Sequence, residues 1–172
     1  MAKSLIAFYS RADENYVSGQ LKMLKVGNTE KVAHILQKLT GADLFKIEQT
    51  EPYSRGYNDC IEQARDDQRR NARPKLKEYP ESLNEYDEIY LCYPNYWGTM
   101  PMAVFTFLGK YDFSGKKIYP LCTHEGSGMG SSERDIKRVC PTAILGGGLA
   151  VKGSSAENSA SAVESWLKKL DK

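Results

Sequence analysis

The run Ile89-Tyr-Leu-Cys-Tyr-Pro-Asn-Tyr-Trp-Gly-Thr-Met-Pro101 constrains this chain more than any other stretch. It opens as a short apolar segment, as a strand buried on both faces does, and breaks at Pro94. A polar residue, two adjacent aromatics and a glycine follow, and a helix can start near Pro101, where proline's missing N–H costs nothing. A strand that empties into an aromatic, glycine-containing loop is where an open α/β sheet holds its ligand. Tyr96 and Trp97 could equally cap the core, and the loop alone does not decide between the two.

The flanking sequence supplies the rest of such a sheet. Apolar strand-like runs stand at Ser4–Tyr9, Ala42–Ile47, Glu88–Tyr93, Lys117–Cys122 and Ala143–Val151, the last interrupted by the glycines at 146–148. Between them lie helical patterns. One opens at Asn28 or Thr29, either a candidate N-cap, and stops at Gly41. Others run from about Asn58 to Ala72 with Cys60, Ile61 and Ala64 inward, from Pro101 to Leu108, from Ser131 or Ser132 to Val139, and from Ala156 to Leu170. Strand and helix alternate five times, which argues for a parallel sheet with helices on both faces. The 172 residues suffice for one domain, 1–172, with a sizeable core.

Composition removes several function classes. The net charge of +2 gathers into no basic stripe, so no nucleic-acid surface is expected. The basic run from Arg65 to Lys77 is interrupted by Asp66 and Asp67 and reads as a solvated helix end. The cysteines at 60, 92, 122 and 140 have no metal-ligand spacing, and Cys92 and Cys122 fall in apolar runs as small hydrophobes. With no signal-peptide pattern and no membrane span, the expectation is a cytoplasmic, reduced, soluble protein that holds no metal.

Three loops leave the carboxyl edge of such a sheet, after strands one, three and four. In the first, Ser10, Asn28 and Thr29 bring hydroxyl and amide donors, Gly27 permits close backbone approach, and the helix start adds free N–H groups. That is phosphate chemistry, although an ordinary capped helix would look the same. The second loop, Asn95 to Gly98, suits a flat heterocycle. The third, Thr123-His-Glu-Gly-Ser-Gly-Met-Gly130, exposes backbone amides with little bulk, fitting either a ring edge or a plain surface turn. Together they describe a mononucleotide with a terminal phosphate and a large planar ring, without the G-x-G-x-x-G of a dinucleotide site.

The blocks Phe8-Tyr9-Ser10, Gly27-Asn28-Thr29 with Val32-Ala33, Tyr93 to Pro101 and Thr123 to Gly128 resemble the flavodoxin-like proteins over almost the whole chain. The resemblance implies a three-layer fold with a five-stranded parallel sheet in the order 2-1-3-4-5, holding FMN at the point where strand order reverses. It implies that Ser10, Asn28 and Thr29 hold the phosphate. Pro94, Asn95, Tyr96, Trp97 and Gly98 would flank the isoalloxazine. Glu125, Gly126, Ser127 and Gly128 would line its pyrimidine side, and Arg11, Gly27 and Thr123 complete the cofactor-binding set. Three departures stand out: residues 11–26 are inserted into the phosphate loop, where they could form a lid or a partner surface. The chain is slightly basic where flavodoxins are acidic, and the third loop carries no tyrosine to sandwich the ring.

Two functions follow from the resemblance. One is an electron carrier serving a redox partner protein. The other is a small NAD(P)H-dependent quinone or flavin reductase with a small electron acceptor. A flavin-free binding module on the same fold is a third class. Aromatics at 96 and 97 alone leave one ring face open, which favours a reductase, with His124 or Glu125 as proton donors. Gly98, whose freedom at φ > 0 would let a loop peptide turn toward the ring, is the candidate for tuning its electronics.

Overall fold

The computed structural model describes residues 3–170. A parallel sheet forms from β1 (Ser4–Phe8), β4 (Asp43–Lys46), β5 (Glu88–Pro94), β6 (Lys117–His124), β7 (Ile144–Leu145) and β8 (Leu149–Lys152). Its order is β4-β1-β5-β6-β7, with β8 also paired to β6. Counting the two short strands as one, this is the 2-1-3-4-5 arrangement. The last strand is split because Gly146 packs directly on the Tyr119 ring, and the chain leaves the ladder before re-entering at Leu149.

Residues alternate across β1 as a strand buried on both faces requires. Leu5 and Ala7 face a cluster with Leu91, Val104, Phe107 and Ile136, contributed in part by α3 (Met102–Lys110) and α4 (Ser132–Val139). Ile6 and Phe8 face Val32, Leu36, Val163 and Trp166 on α1 (Asn28–Thr40) and α5 (Ala160–Leu170). The connection at 75–85 is anchored because Leu76 and Leu83 enter the core. Residues 153–158 form a 3-10 turn, so the closing helix starts later than its apolar period indicates. Among the described residues no helix is long and apolar enough to cross a membrane.

The insertion at 11–26 is a β-hairpin of β2 (Asp13–Val17) and β3 (Gln20–Leu24), separate from the main sheet. Ser18 (φ 51°) and Gly19 (φ 80°) make its two-residue turn, the left-handed pair whose twist matches the flanking strands. A lone two-stranded ribbon is marginal in water. This one is tied down by Arg11, whose guanidinium donates to the carbonyls of Glu14, Ser54 (3.0 Å) and Arg55 (2.7 Å). Glu14 Oε1 also accepts the Tyr57 N–H (2.8 Å), capping α2 (Tyr57–Arg69) from outside.

Candidate functional site

The crevice at the carboxyl ends of β1, β5 and β6 opens into a cavity of about 410 Å3, of a size that suits a small ligand. Of the residues singled out in sequence, Ser10, Arg11, Asn28, Thr29, Pro94, Asn95, Tyr96, Trp97, Gly98, Thr123, His124, Glu125 and Ser127 line it. Gly27, Gly126 and Gly128 do not, and act through backbone geometry. The cavity wall also includes Asn15 and Tyr16 of the hairpin, Tyr57, Cys60, Ile61 and Ala64 of α2, and Gly153. Helical spacing at 60, 61 and 64 marks one face of α2 that reads as core, and Tyr57 falls just before the expected helix start. Only its position over the crevice turns that face into a site wall.

At the phosphate end, Gly27 is the N-cap of α1 and no side chain caps the helix from within, so neither Asn28 nor Thr29 is the cap. Ser10 does that work from the preceding loop, its Oγ accepting the Glu30 N–H (3.0 Å). A Cβ on Gly27 would collide with Ser10 Oγ and the Arg11 carbonyl, so only glycine fits. Among the described residues the Asn28 and Thr29 amides have no acceptor, which leaves two N–H groups and the positive end of a 13-residue helix facing the cavity. The Thr29 hydroxyl is buried and paired with Thr123 Oγ1 (2.7 Å), so it offers at most a shared proton. Arg11 lines the cavity and also clamps the hairpin, donating to three carbonyls.

At the ring end, Trp97 (φ 53°) and Gly98 (φ 87°) form a two-residue turn closed by reciprocal Tyr96–Thr99 backbone bonds. A tryptophan in left-handed conformation is strained, and the surroundings hold it there. Its indole N–H donates to the Ile61 carbonyl (2.8 Å), the Arg65 guanidinium sits 4.4 Å from the ring centroid, and Gln68 reaches its carbonyl (3.3 Å). Trp97 remains 43% exposed, whereas Tyr96 turns inward against Tyr9 (5.8 Å between centroids). Burial pushes the Tyr96 phenol and the Cys60 thiol up, with Arg11 pulling the other way in each case. Tyr16 and Tyr57, 6.0 Å apart, add aromatic cover that the 96–97 loop does not supply, so the aromatic wall is broader than the sequence suggests.

Gly98 is bonded on both sides. Its N–H donates to Asn95 Oδ1 (2.9 Å), while its carbonyl accepts from Ser131 N–H (2.7 Å) and Oγ (3.2 Å). Gly130 is glycine because the Gly98 carbonyl occupies the space a Cβ needs. Asn95 also donates to the Gly128 carbonyl (2.9 Å), so the second and third loops form one braced unit instead of a loose surface turn. His124 Nδ1 accepts the Gly126 N–H (2.9 Å), a tautomer that leaves Nε2–H as a donor at the cavity wall. Glu125 turns away from this end: Oε1 accepts the Ser18 N–H of the hairpin (2.7 Å), and Oε2 lies buried beside Gly153, on which the Asn28 side-chain Nδ2 also packs.

The fold matches solved structures along its whole length. A protein of Bacteroides eggerthii DSM 20697 described as a flavoprotein superposes with a TM-score of 0.81 at 23% identity, covering 100% of this chain and 99% of that one. A second flavoprotein, from Bacteroides uniformis ATCC 8492, gives 0.77 at 24% identity over 97% and 98%. A flavoprotein of Lactobacillus acidophilus NCFM solved in complex with FMN gives 0.69 at 17% identity over the full length of both chains. No curated protein sequence matches the chain. A sequence-family model described as Flavodoxin matches residues 22–170, nearly everything beyond the first hairpin strand. The chain belongs to the flavodoxin family.

Proposed function

We propose that this protein binds FMN non-covalently in the crevice and transfers electrons through it. One observation carries the reading: Asn28 and Thr29, with the two free amides of α1, and the Trp97–Gly98 turn line the same cavity. Phosphate and ring chemistry therefore meet at the place where the strand order reverses. Family membership and the FMN complex of the Lactobacillus acidophilus protein support it. The residues present fit the cofactor, Gly27 letting the Ser10–Arg11 loop close on the start of α1 where a Cβ would collide with it.

FMN supplies the redox chemistry, accepting and returning electrons; the protein binds, orients and shields it. Asn28 and Thr29 amides and the Ser10 hydroxyl hold the phosphate without a cation, which helix-end binding permits. Trp97, braced by Ile61 and Arg65, covers the ring, and Asn95 holds the Gly98 peptide in place. An NAD(P)H-dependent reductase is the second reading, favoured by His124: its Nε2–H stands ready to donate to an acceptor oxygen.

Titrating the purified apoprotein with FMN, followed by quenching of flavin fluorescence, tests the binding. Saturation at one equivalent supports the proposal, and absence of any FMN or riboflavin binding refutes it. Stopped-flow reduction by NADPH with and without a quinone separates the readings. Rapid NADPH oxidation that requires quinone selects the reductase, and negligible reduction selects the carrier.

A further inference from the structure

Glu125 is misplaced for a phosphate site. Among the described residues lining the cavity, the basic groups are Arg11 and His124. The first donates to three carbonyls, and the second accepts the Gly126 N–H through Nδ1. Lys31, on the first turn of α1, is paired with Glu157 at 3.2 Å. The charged side chain placed beside the first residue of α1 is a carboxylate. A Cβ on Gly153 would collide with Glu125 Oε2 and lie 2.6 Å from Asn28 Nδ2, which puts the carboxylate beside the first helical residue. Oε2 is buried with no hydrogen-bond partner, an expensive state for a charged oxygen. The other oxygen holds the Ser18 N–H at the tip of the hairpin.

The geometry points to Glu125 as an internal anion that occupies the edge of the phosphate seat in the free protein and gives way when phosphate enters. This rests on the FMN reading above. A phosphate dianion beside a carboxylate is repelled at the lowered effective dielectric of such a crevice. Moving the carboxylate aside breaks its bond to Ser18. Cofactor loading thereby releases the hairpin tip, and whatever holds the hairpin down opposes loading. The device discriminates between ligands, since riboflavin carries no phosphate and leaves Glu125 where it is.

Glu125→Gln is the decisive variant, because glutamine keeps an acceptor for Ser18 and replaces the charge with a donor. FMN should bind this variant at least tenfold more tightly than wild type, and inorganic phosphate should compete better for the apoprotein, while riboflavin affinity stays within about twofold. Amide exchange at Ser18 should accelerate when wild type is loaded with FMN and change little when Glu125→Gln is loaded. Glu125→Ala should show fast exchange there with or without ligand. Equal losses of FMN and riboflavin affinity in Glu125→Gln would make Glu125 an acceptor for ligand hydroxyls and overturn the proposal. Ser18 exchange indifferent to FMN in wild type would overturn it as well. If wild type bound no flavin, the cofactor reading would fall. The inorganic phosphate comparison would still decide the role of Glu125, with equal binding to both proteins overturning it.

Discussion

Gly27→Ala puts the phosphate cradle under the most direct strain. The backbone there (φ −65°, ψ 155°) suits alanine, so the damage comes from space alone. The added Cβ would meet the Ser10 hydroxyl and lie 2.5 Å from the Arg11 carbonyl oxygen and 2.8 Å from its carbon. The hydroxyl can rotate, giving up the Glu30 N–H at about 0.5–1.5 kcal/mol. The carbonyl cannot rotate away, and overpacking of this kind costs about 1–3 kcal/mol. A total of about 1.5–4.5 kcal/mol in a chain of this size lowers Tm by about 3–18 °C. The displaced start of α1 also turns its two free amides, so FMN affinity should fall more than tenfold and riboflavin affinity less. Gly109→Ala is the control. Gly109 lies in α3 with open space around its missing Cβ, and the change should stabilise by about 0.4–1 kcal/mol. Thermal unfolding and paired titrations read both effects. A Gly27→Ala protein with wild-type Tm and wild-type FMN affinity would refute the close-approach argument.

Further outcomes are expected at Ser10, Thr29, Trp97 and Cys122. Ser10→Ala removes a charge-assisted bond worth about 1.5–3 kcal/mol, so FMN binding should drop tenfold or more with riboflavin little changed. Thr29→Val should cost FMN binding less, because that hydroxyl is already shared with Thr123, and equal effects at the two positions would contradict this placement. Trp97→Ala should weaken flavin binding and relieve fluorescence quenching through loss of stacking worth about 0.5–1.5 kcal/mol. Trp97→Gly should be more stable than Trp97→Ala by about 1–2 kcal/mol in urea unfolding, because only glycine escapes the left-handed penalty at φ 53°. Burial pushes the Cys122 thiol from 9.0 up to about 12, so the unfolded chain releases that proton first as pH rises. Its contribution is complete below about pH 9 and is lost between pH 9 and 12, and a Tm that stays flat across that range would count against its burial.

The layers of this fold could be read from the chain because their cause is local. Ser4–Phe8 and Glu88–Pro94 are apolar on successive residues, which only a strand covered on both faces tolerates, and five such runs alternate with helical periods. The aromatic turn and Gly27-Asn28-Thr29 were visible for the same reason, each being a short segment whose residue types carry its backbone preference. Residues 11–26 were legible only as an insertion. Their hairpin rests on Arg11 reaching carbonyls at 54 and 55 and on Glu14 capping a helix that starts at 57, partners that no local pattern connects. Cys60, Ile61 and Ala64 have the spacing of a core face, and they became a cavity wall because α2 lies across the crevice. Glu125 shows the limit most clearly. In sequence it belongs with the glycines beside a ring edge, but the register that sets His124 opposite Lys152 brings it beside Gly153 and Asn28. Residue type and spacing determined which loops could hold a phosphate and a ring. Which way each side chain turns depends on contacts between segments distant in sequence, and those exist only once the sheet has assembled.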